Sequence, residues 1–344
     1  MTLTGFVLLY IVATIAIGVI AATRVKNTSD FALAGRSLPL PMVITATFAT
    51  WFGSETILGL PGRFIESGIA GVIEEPFGSG MALILVGTFF AHKLYKQNIL
   101  TLGDYYRDRY GRSVELLCSV AIVISYLGWV GAQVTALGLV INLITEGAVS
   151  MTTGMVIGAA VVLAYTMVGG MWSVAMTDFV QMIVIVVGLV AILWFATDLA
   201  GGMDKVVDYA RGRDLFHAFP EPTTTGWLFW ISAAMTMMIG SIPQQDVFQR
   251  VMSAKNLPTA VAGPILGGSF YILFAFVPMF IVVAAILVMP DAAEKMLSED
   301  PQQLLPTLVR DYMPMWLRVV FFGAVLSAVM STASATMLAP STIF

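Results

Sequence analysis

Charge is what this sequence has least of. Only 11% of its 344 residues are Asp, Glu, Lys or Arg, against roughly 25% in an average soluble domain, while 58% are hydrophobic. Too few charges remain to cover a water-facing surface, so we read an integral membrane protein made mostly of spans. The net charge of −4 leaves no basic excess for nucleic acid. Cys118 is the single cysteine, which excludes an intrachain disulfide. The two histidines, His92 and His217, fall in or beside loops and cannot build a metal cluster within the bilayer. No nucleophile–base pair stands within the spans, so neither an enzyme nor a cofactor is expected.

What is present is apolar length. Nine spans are readable: Thr2–Ala22, Pro41–Ser67, Gly71–Tyr95, Ser113–Leu143, Met151–Val168, Met171–Ala200, Trp227–Val247, Pro258–Met289 and Trp316–Phe344. The first is about 20 apolar residues with no basic residue before it, which is a spanning helix and not a cleavable signal. No soluble domain interrupts the series, so residues 1–344 form one transmembrane domain. The long connections Gly201–Gly226 and Pro290–Met315 read as caps on an outer vestibule, the second with a short surface helix.

Basic residues in alternate loops set the orientation. With the N-terminus outside, the inner segments hold Arg24, Lys26, Arg36, Lys93, Lys96, Arg107, Arg109, Arg112, Arg250 and Lys255, ten of 17. They hold five of the 21 acids: Asp30, Asp104, Asp108, Glu115 and Asp246. A multi-pass protein of the cell membrane is expected.

The second span breaks the rules of a membrane helix. Phe52-Gly53-Ser54-Glu55 sets a glycine, a hydroxyl and a carboxylate at mid-span, with Pro61-Gly62 two turns on. Backbone carbonyls freed there need partners in protein, water or a bound ion, and an ionisable group at that depth points to function. A kinked helix packing its glycine on a neighbour is the structural alternative. The seventh span repeats the pattern at Ile239-Gly240-Ser241-Ile242-Pro243-Gln244-Gln245. Interrupted spans in corresponding places of two halves point to a transporter site near the midplane.

Six ordered stretches carry a resemblance: Phe31–Leu40, Ala49–Gly62 within the broken span, Thr101–Gly111, Gly169–Gln181, Ile242–Asn256 and Ser327–Leu338. Together they resemble the sodium:solute symporter family, and ATWFG with IPxxxxFQRVxS is most similar to its high-affinity choline transporters. The resemblance implies an all-α, LeuT-type fold of five plus five inverted repeats behind an extra first helix. Residues 1–22 would be that helix, 41–200 the first repeat and 227–344 part of the second. The second repeat is expected to be incomplete, the family chain continuing beyond Phe344.

The same resemblance implies a sodium site. Ser331 and Thr332 would give hydroxyls, and Ala328, Ala49 and Phe52 carbonyls; Ala328, Ser331 and Thr332 share one helix face. These are neutral oxygens, which suit a hard cation. Asp178, in the TDxxQ motif Thr177–Gln181, would attract the ion from the inner side. From the residues alone, Ser331-Thr332 also fits helix packing, and Asp178 also fits an acid reaching the interface. The family's proline symporters carry an aspartate where Trp51 stands here; the acid in this chain is Glu55, so the aspartate's role does not transfer.

Solute contacts are expected between the breaks, from Ser54, Glu55, Glu75, Trp129, Gln133, Trp230 and Gln244. Trp51, Trp129 and Trp230 would make an aromatic cage for a quaternary ammonium; packing is the plainer role for each. A choline-like amine, an amino acid and a carboxylate all remain candidates. The leading function is sodium-coupled solute uptake by alternating access. The alternative is a transporter-like sensor domain of a histidine kinase.

Overall fold

A computed structural model describes residues 3–343, so Thr2 and Phe344, expected bounds of the first and ninth spans, lie outside the described residues. Helices are the regular elements of the described residues, joined by turns and loops, with one isolated bridge between Leu38 and Ala254. In a bilayer every backbone group must find an internal partner, and a helix provides that within one segment.

Helix α1 is Leu3–Ala22, and the short α2 is Thr28–Leu33. The broken second span is α3, Leu40–Trp51, then a π-type turn at Glu55–Gly59, then α4, Leu60–Gly71. The third runs from Ile73 to Gln97 and includes α5, Ser79–Leu85, and α6, Ala91–Gln97. Helix α7, Leu102–Tyr110, is an interfacial piece before α8, Arg112–Ile144.

The fifth and sixth expected spans form one run, α9, Met151–Leu199, of 49 residues. At 1.5 Å per residue this would reach about 74 Å, more than twice a hydrocarbon core. Gly170 divides it, with φ 49° and ψ −138°. A methyl group on Gly170 would stand 2.3 Å from the Phe31 carbonyl oxygen, so only glycine fits there.

Helix α10 is Met203–Gly212, α11 Thr224–Gly240 and α12 Gln245–Ser253; the last two form the broken seventh span, bent by 46°. The eighth span comprises α13, Leu257–Phe274, and α14, Phe276–Val288. The expected single surface helix after it is instead α15, Pro290–Glu299, a 3-10 turn at Pro301–Gln303, and α16, Leu304–Tyr312. Helix α16 buries Leu304, Leu305, Leu308 and Val309, an apolar face that the acidic composition of the connection concealed.

The ninth span is α17, Met315–Ser341. Every residue from Ala324 to Thr336 is buried, because α17 packs against α9, α8, α3, α1 and α12. Large apolar side chains on α8 and α9, including Leu117, Leu127, Val156 and Trp194, are exposed where lipid would cover them. Among the described residues, six helices are long and apolar enough to cross a membrane, or seven with the bent pair. Dividing α9 at Gly170 and adding the interrupted second span accounts for the nine expected from the sequence.

Two residues counted among the inner-segment charges lie inside the protein instead. Asp246 and Arg250 are buried in α12, at 0% and 1% exposure. The length of the apolar pattern ended the seventh span at Val247, but the helix continues inside the protein to Ser253.

Candidate functional site

The break in the second span follows from its residues. Phe52 leaves the helix at φ −87° and ψ 68°, and the chain turns helical again from Glu55, through the π-type turn that runs into α4 and its Pro61. Gly53 sits against α17: a Cβ there would lie 2.7 Å from Thr332 Oγ1. Close approach to Thr332 therefore requires glycine.

On the α17 side, the Thr332 hydroxyl donates to the Ala49 carbonyl at 3.2 Å, and the Ser331 hydroxyl donates to Asp178 Oδ1 at 2.5 Å. Ala49, Phe52, Asp178, Ala328, Ser331 and Thr332 are all fully buried. Among the described residues, Asp178 Oδ2 has no hydrogen-bond partner, nor does the Gln181 side-chain amide one turn on. A buried carboxylate oxygen without a donor, beside hydroxyl and carbonyl oxygens, is a donor set that suits a hard cation. The sequence placed these residues on three separate spans, and the fold brings Ala49 to Thr332 and Asp178 to Ser331.

Two cavities meet at Glu55 and Glu75. A vestibule of about 600 Å³ is lined by these two with Ser54, Arg63, Asp300 and Gln302 among others. A smaller chamber of about 240 Å³ is lined by Trp51, Glu55, Glu75, Ser125, Trp129, Met237 and Gln244. That is room for roughly eight waters. Only Glu55 and Glu75 line both. Gln133 Nε2 donates to Glu55 Oε1 at 2.6 Å, and Ser54 Oγ lies 3.4 Å from Glu55 Oε2. Thr56 Oγ1 and the Tyr271 hydroxyl donate to Glu75 Oε1 at 2.8 and 2.6 Å. All these donors are neutral. Arg63 is 3.9 Å from Glu74 and largely exposed.

The chamber wall is aromatic. The rings of Trp51 and Trp129 meet edge to face at 5.4 Å, and Tyr126 stacks on Trp129 at 6.0 Å. Trp230 is not in this wall. Its ring neighbours are Phe219 and Trp227, at 6.0 and 5.7 Å. It precedes the chamber residue Met237 by seven positions on α11, about 10 Å along the helix. Of the three tryptophans expected to form a cage, Trp51 and Trp129 line the chamber and Trp230 does not, while Tyr126 backs Trp129 from behind the wall. Gln244 does reach the chamber, and its Oε1 has no partner.

Below the chamber lies a network that the sequence reading missed. Trp51 Nε1 donates to Asp246 Oδ2 at 3.2 Å, and the Tyr126 hydroxyl donates to Asp246 Oδ1. Arg250 donates to the Asp246 carbonyl at 3.0 Å and to Thr50 Oγ1 at 2.6 Å. Helix α12 is thereby tied to the end of α3. The available signal was that Asp246 and Arg250 lie four apart, one helical turn, directly after the second break.

Interrupted helices that meet near the midplane are a general feature of secondary-transporter sites. A sodium:solute symporter family model matches residues 31–344. The chain belongs to the sodium:solute symporter family. The chain is 28% identical over 98% of its length to human high affinity choline transporter 1, and 28% identical over 92% to the Caenorhabditis elegans high-affinity choline transporter 1. It is 26% identical over 98% of its length to zebrafish sodium/glucose cotransporter 4. The chain spans 60%, 56% and 56% of the length of these relatives, in that order. A solved Na+-coupled sialic acid symporter, in a substrate-bound outward-open state, superposes with a TM-score of 0.85 at 18% identity. That match covers 99% of this chain and 72% of the other. The fold is LeuT-type, in a multi-pass membrane protein.

Proposed function

We propose that this protein is a sodium-coupled symporter of a small organic cation. The observation that carries the solute class is the pair of carboxylates, Glu55 and Glu75, held by neutral donors at the junction of vestibule and aromatic chamber. A solute crossing that junction meets carboxyl oxygens on two sides, then the faces of Trp51 and Trp129. Cations bind over such faces, and quaternary ammonium groups are a familiar example. The two relatives named for choline agree with this chemistry.

Sodium is proposed to bind among the Ala49, Phe52 and Ala328 carbonyls and the Ser331 and Thr332 hydroxyls, with Asp178 supplying nearby negative charge. That position bridges α3, α9 and α17. An ion that joins these helices lowers the energy of the state in which the chamber is formed, and solute and ion then favour each other reciprocally. The Asp246–Trp51–Tyr126 network closes the chamber on the side away from the vestibule. Alternating access requires that network to open. The N-terminus is proposed to face outward in the cell membrane, following the loop charges that remain after Asp246 and Arg250 move into α12.

The test is uptake by the purified protein in sealed vesicles, with a panel of labelled choline, a neutral amino acid and a short carboxylate. Choline uptake driven by an inward sodium gradient is expected. Uptake at equal rates with sodium, potassium or a proton gradient would overturn the coupling, and exclusive transport of the carboxylate would overturn the solute class.

A further inference from the structure

Lys93 on α6 and Arg109 on α7 face one groove of about 530 Å³, together with Phe89, Phe90, Leu94, Gln97, Tyr105 and Tyr110. Both charges in its lining are positive, and among the described residues neither is ion-paired. Among the described residues, the polar partner of Arg109 is the neighbouring Tyr110 hydroxyl, at 3.3 Å. Arg107, two residues earlier, differs: it reaches Asp104, Asp108 and Glu115 at 2.8, 3.5 and 3.4 Å. The three nearby acids are gathered on Arg107 and do not line the groove, whose own lining carries two positive groups and no negative one.

Its depth is also defined. Phe89 and Phe90 lie one turn before Lys93, on the exposed flank of the third span, at 62% and 41% exposure. Tyr110 is 58% exposed on the interfacial helix opposite. Apolar rings below and basic groups above are the two halves of a phospholipid: acyl chain against Phe89 and Phe90, phosphate against Lys93 and Arg109.

Both walls are fixed, and to the same element. The Tyr95 hydroxyl of α6 donates to the Ala254 carbonyl just after α12, at 2.8 Å. The Leu102 N–H at the start of α7 donates to Gln245 Oε1, at the start of α12, at 3.0 Å. A capping box between Thr101 and Asp104 sets the direction of α7. A headgroup seated between α6 and α7 would therefore join the two elements that grip the two ends of α12.

We propose that this groove is a binding site for an anionic phospholipid headgroup. Charge complementarity decides the occupant: a phosphodiester with no compensating ammonium fits two unpaired cations, whereas a zwitterionic headgroup brings a positive charge to a site that already has two.

The experiment uses the full chain in nanodiscs of phosphatidylcholine with or without a minority of phosphatidylglycerol, reading the lipid retained after transfer to detergent and the unfolding temperature. The anionic lipid should be retained and should raise the unfolding temperature. Each basic side chain near an anionic surface gives about a fivefold factor in affinity. The double variant Lys93→Gln/Arg109→Gln should therefore bind about thirtyfold more weakly and lose most of the thermal shift. The double variant Lys26→Gln/Lys255→Gln, also exposed but outside the groove, should behave as the parent. An equal shift with phosphatidylcholine alone, an equal shift with inorganic phosphate in detergent, or full retention by the Lys93/Arg109 variant would each overturn the site.

Discussion

Trp51 and Asp246 join the two broken spans: the indole N–H donates to the carboxylate at 3.2 Å, while the same ring meets Trp129 edge to face in the chamber wall at 5.4 Å. The wall that would touch solute and the bond that closes the far side thus share one side chain. Occupancy of the chamber and the position of α12 cannot change independently while that bond stands.

The first prediction follows from the charges. Asp246 and Arg250 are both fully buried, and Arg250 Nε already lacks a partner. Asp246→Ala removes one of two buried opposite charges, a change that costs about 3–5 kcal/mol. Its unfolding temperature in detergent should fall clearly and uptake should fail. Asp246→Asn/Arg250→Gln removes both charges while keeping hydrogen-bonding groups, and should recover most of the lost unfolding temperature. A single Ala variant as stable as the parent would show that the pair does not hold α12 to α3.

A second prediction concerns the junction carboxylates. Glu55→Gln and Glu75→Gln keep an acceptor for Gln133, or for Thr56 and Tyr271, and remove charge. Truncating one partner of a desolvated charge pair costs roughly 2–5 kcal/mol. Apparent affinity for a cationic solute should fall more than tenfold in each, whereas sodium binding measured without solute should stay close to the parent. Radioligand competition and sodium titrations separate the two. A change confined to the sodium titration would move Glu55 or Glu75 out of the solute site.

For the ion, Ser331→Ala/Thr332→Ala deletes two hydroxyls and leaves the carbonyls of Ala49, Phe52 and Ala328. Each lost ligand should weaken sodium binding by about 1 kcal/mol or more. The half-saturating sodium concentration should therefore rise several-fold to tens-fold, read from initial uptake rates. An unchanged value at normal expression would leave these residues as packing between α17 and its neighbours.

The two breaks were legible because glycine, hydroxyl and proline interrupt apolar runs, a pattern that needs no tertiary information. So were Ala328, Ser331 and Thr332 as one face, since helical spacing alone sets that. What the sequence did not disclose was which polar groups the third dimension pairs. Asp246 at the end of the seventh apolar stretch and Arg250 just past it read as inner-segment charges, yet packing of α12 beneath α3 buries them. Tyr271 is one hydroxyl in a long apolar helix, and only the crossing of α13 with the broken span brings it to Glu75. Trp230 fails as a cage member for the converse reason: the residue type suits the cage, but the position along α11 does not.

The last prediction uses Gly53, where the break touches the proposed ion site. A Cβ at Gly53 would stand 2.7 Å from Thr332 Oγ1, 3.1 Å from Thr332 Cβ and 2.9 Å from Glu55 Oε2. Thr332 is buried on α17 and cannot yield, so Gly53→Ala must push the break away from it. Overpacking of this kind costs about 1–3 kcal/mol. The displacement should separate Ala49 from Thr332, now 3.2 Å apart, and raise the half-saturating sodium concentration as the loss of the Thr332 hydroxyl does. Gly59 supplies the control from the same span, because a Cβ there meets nothing within 4 Å. Gly59→Ala should leave the sodium titration unchanged. Equal titrations for the two alanine variants would mean that the approach of Gly53 to Thr332 does not govern the ion.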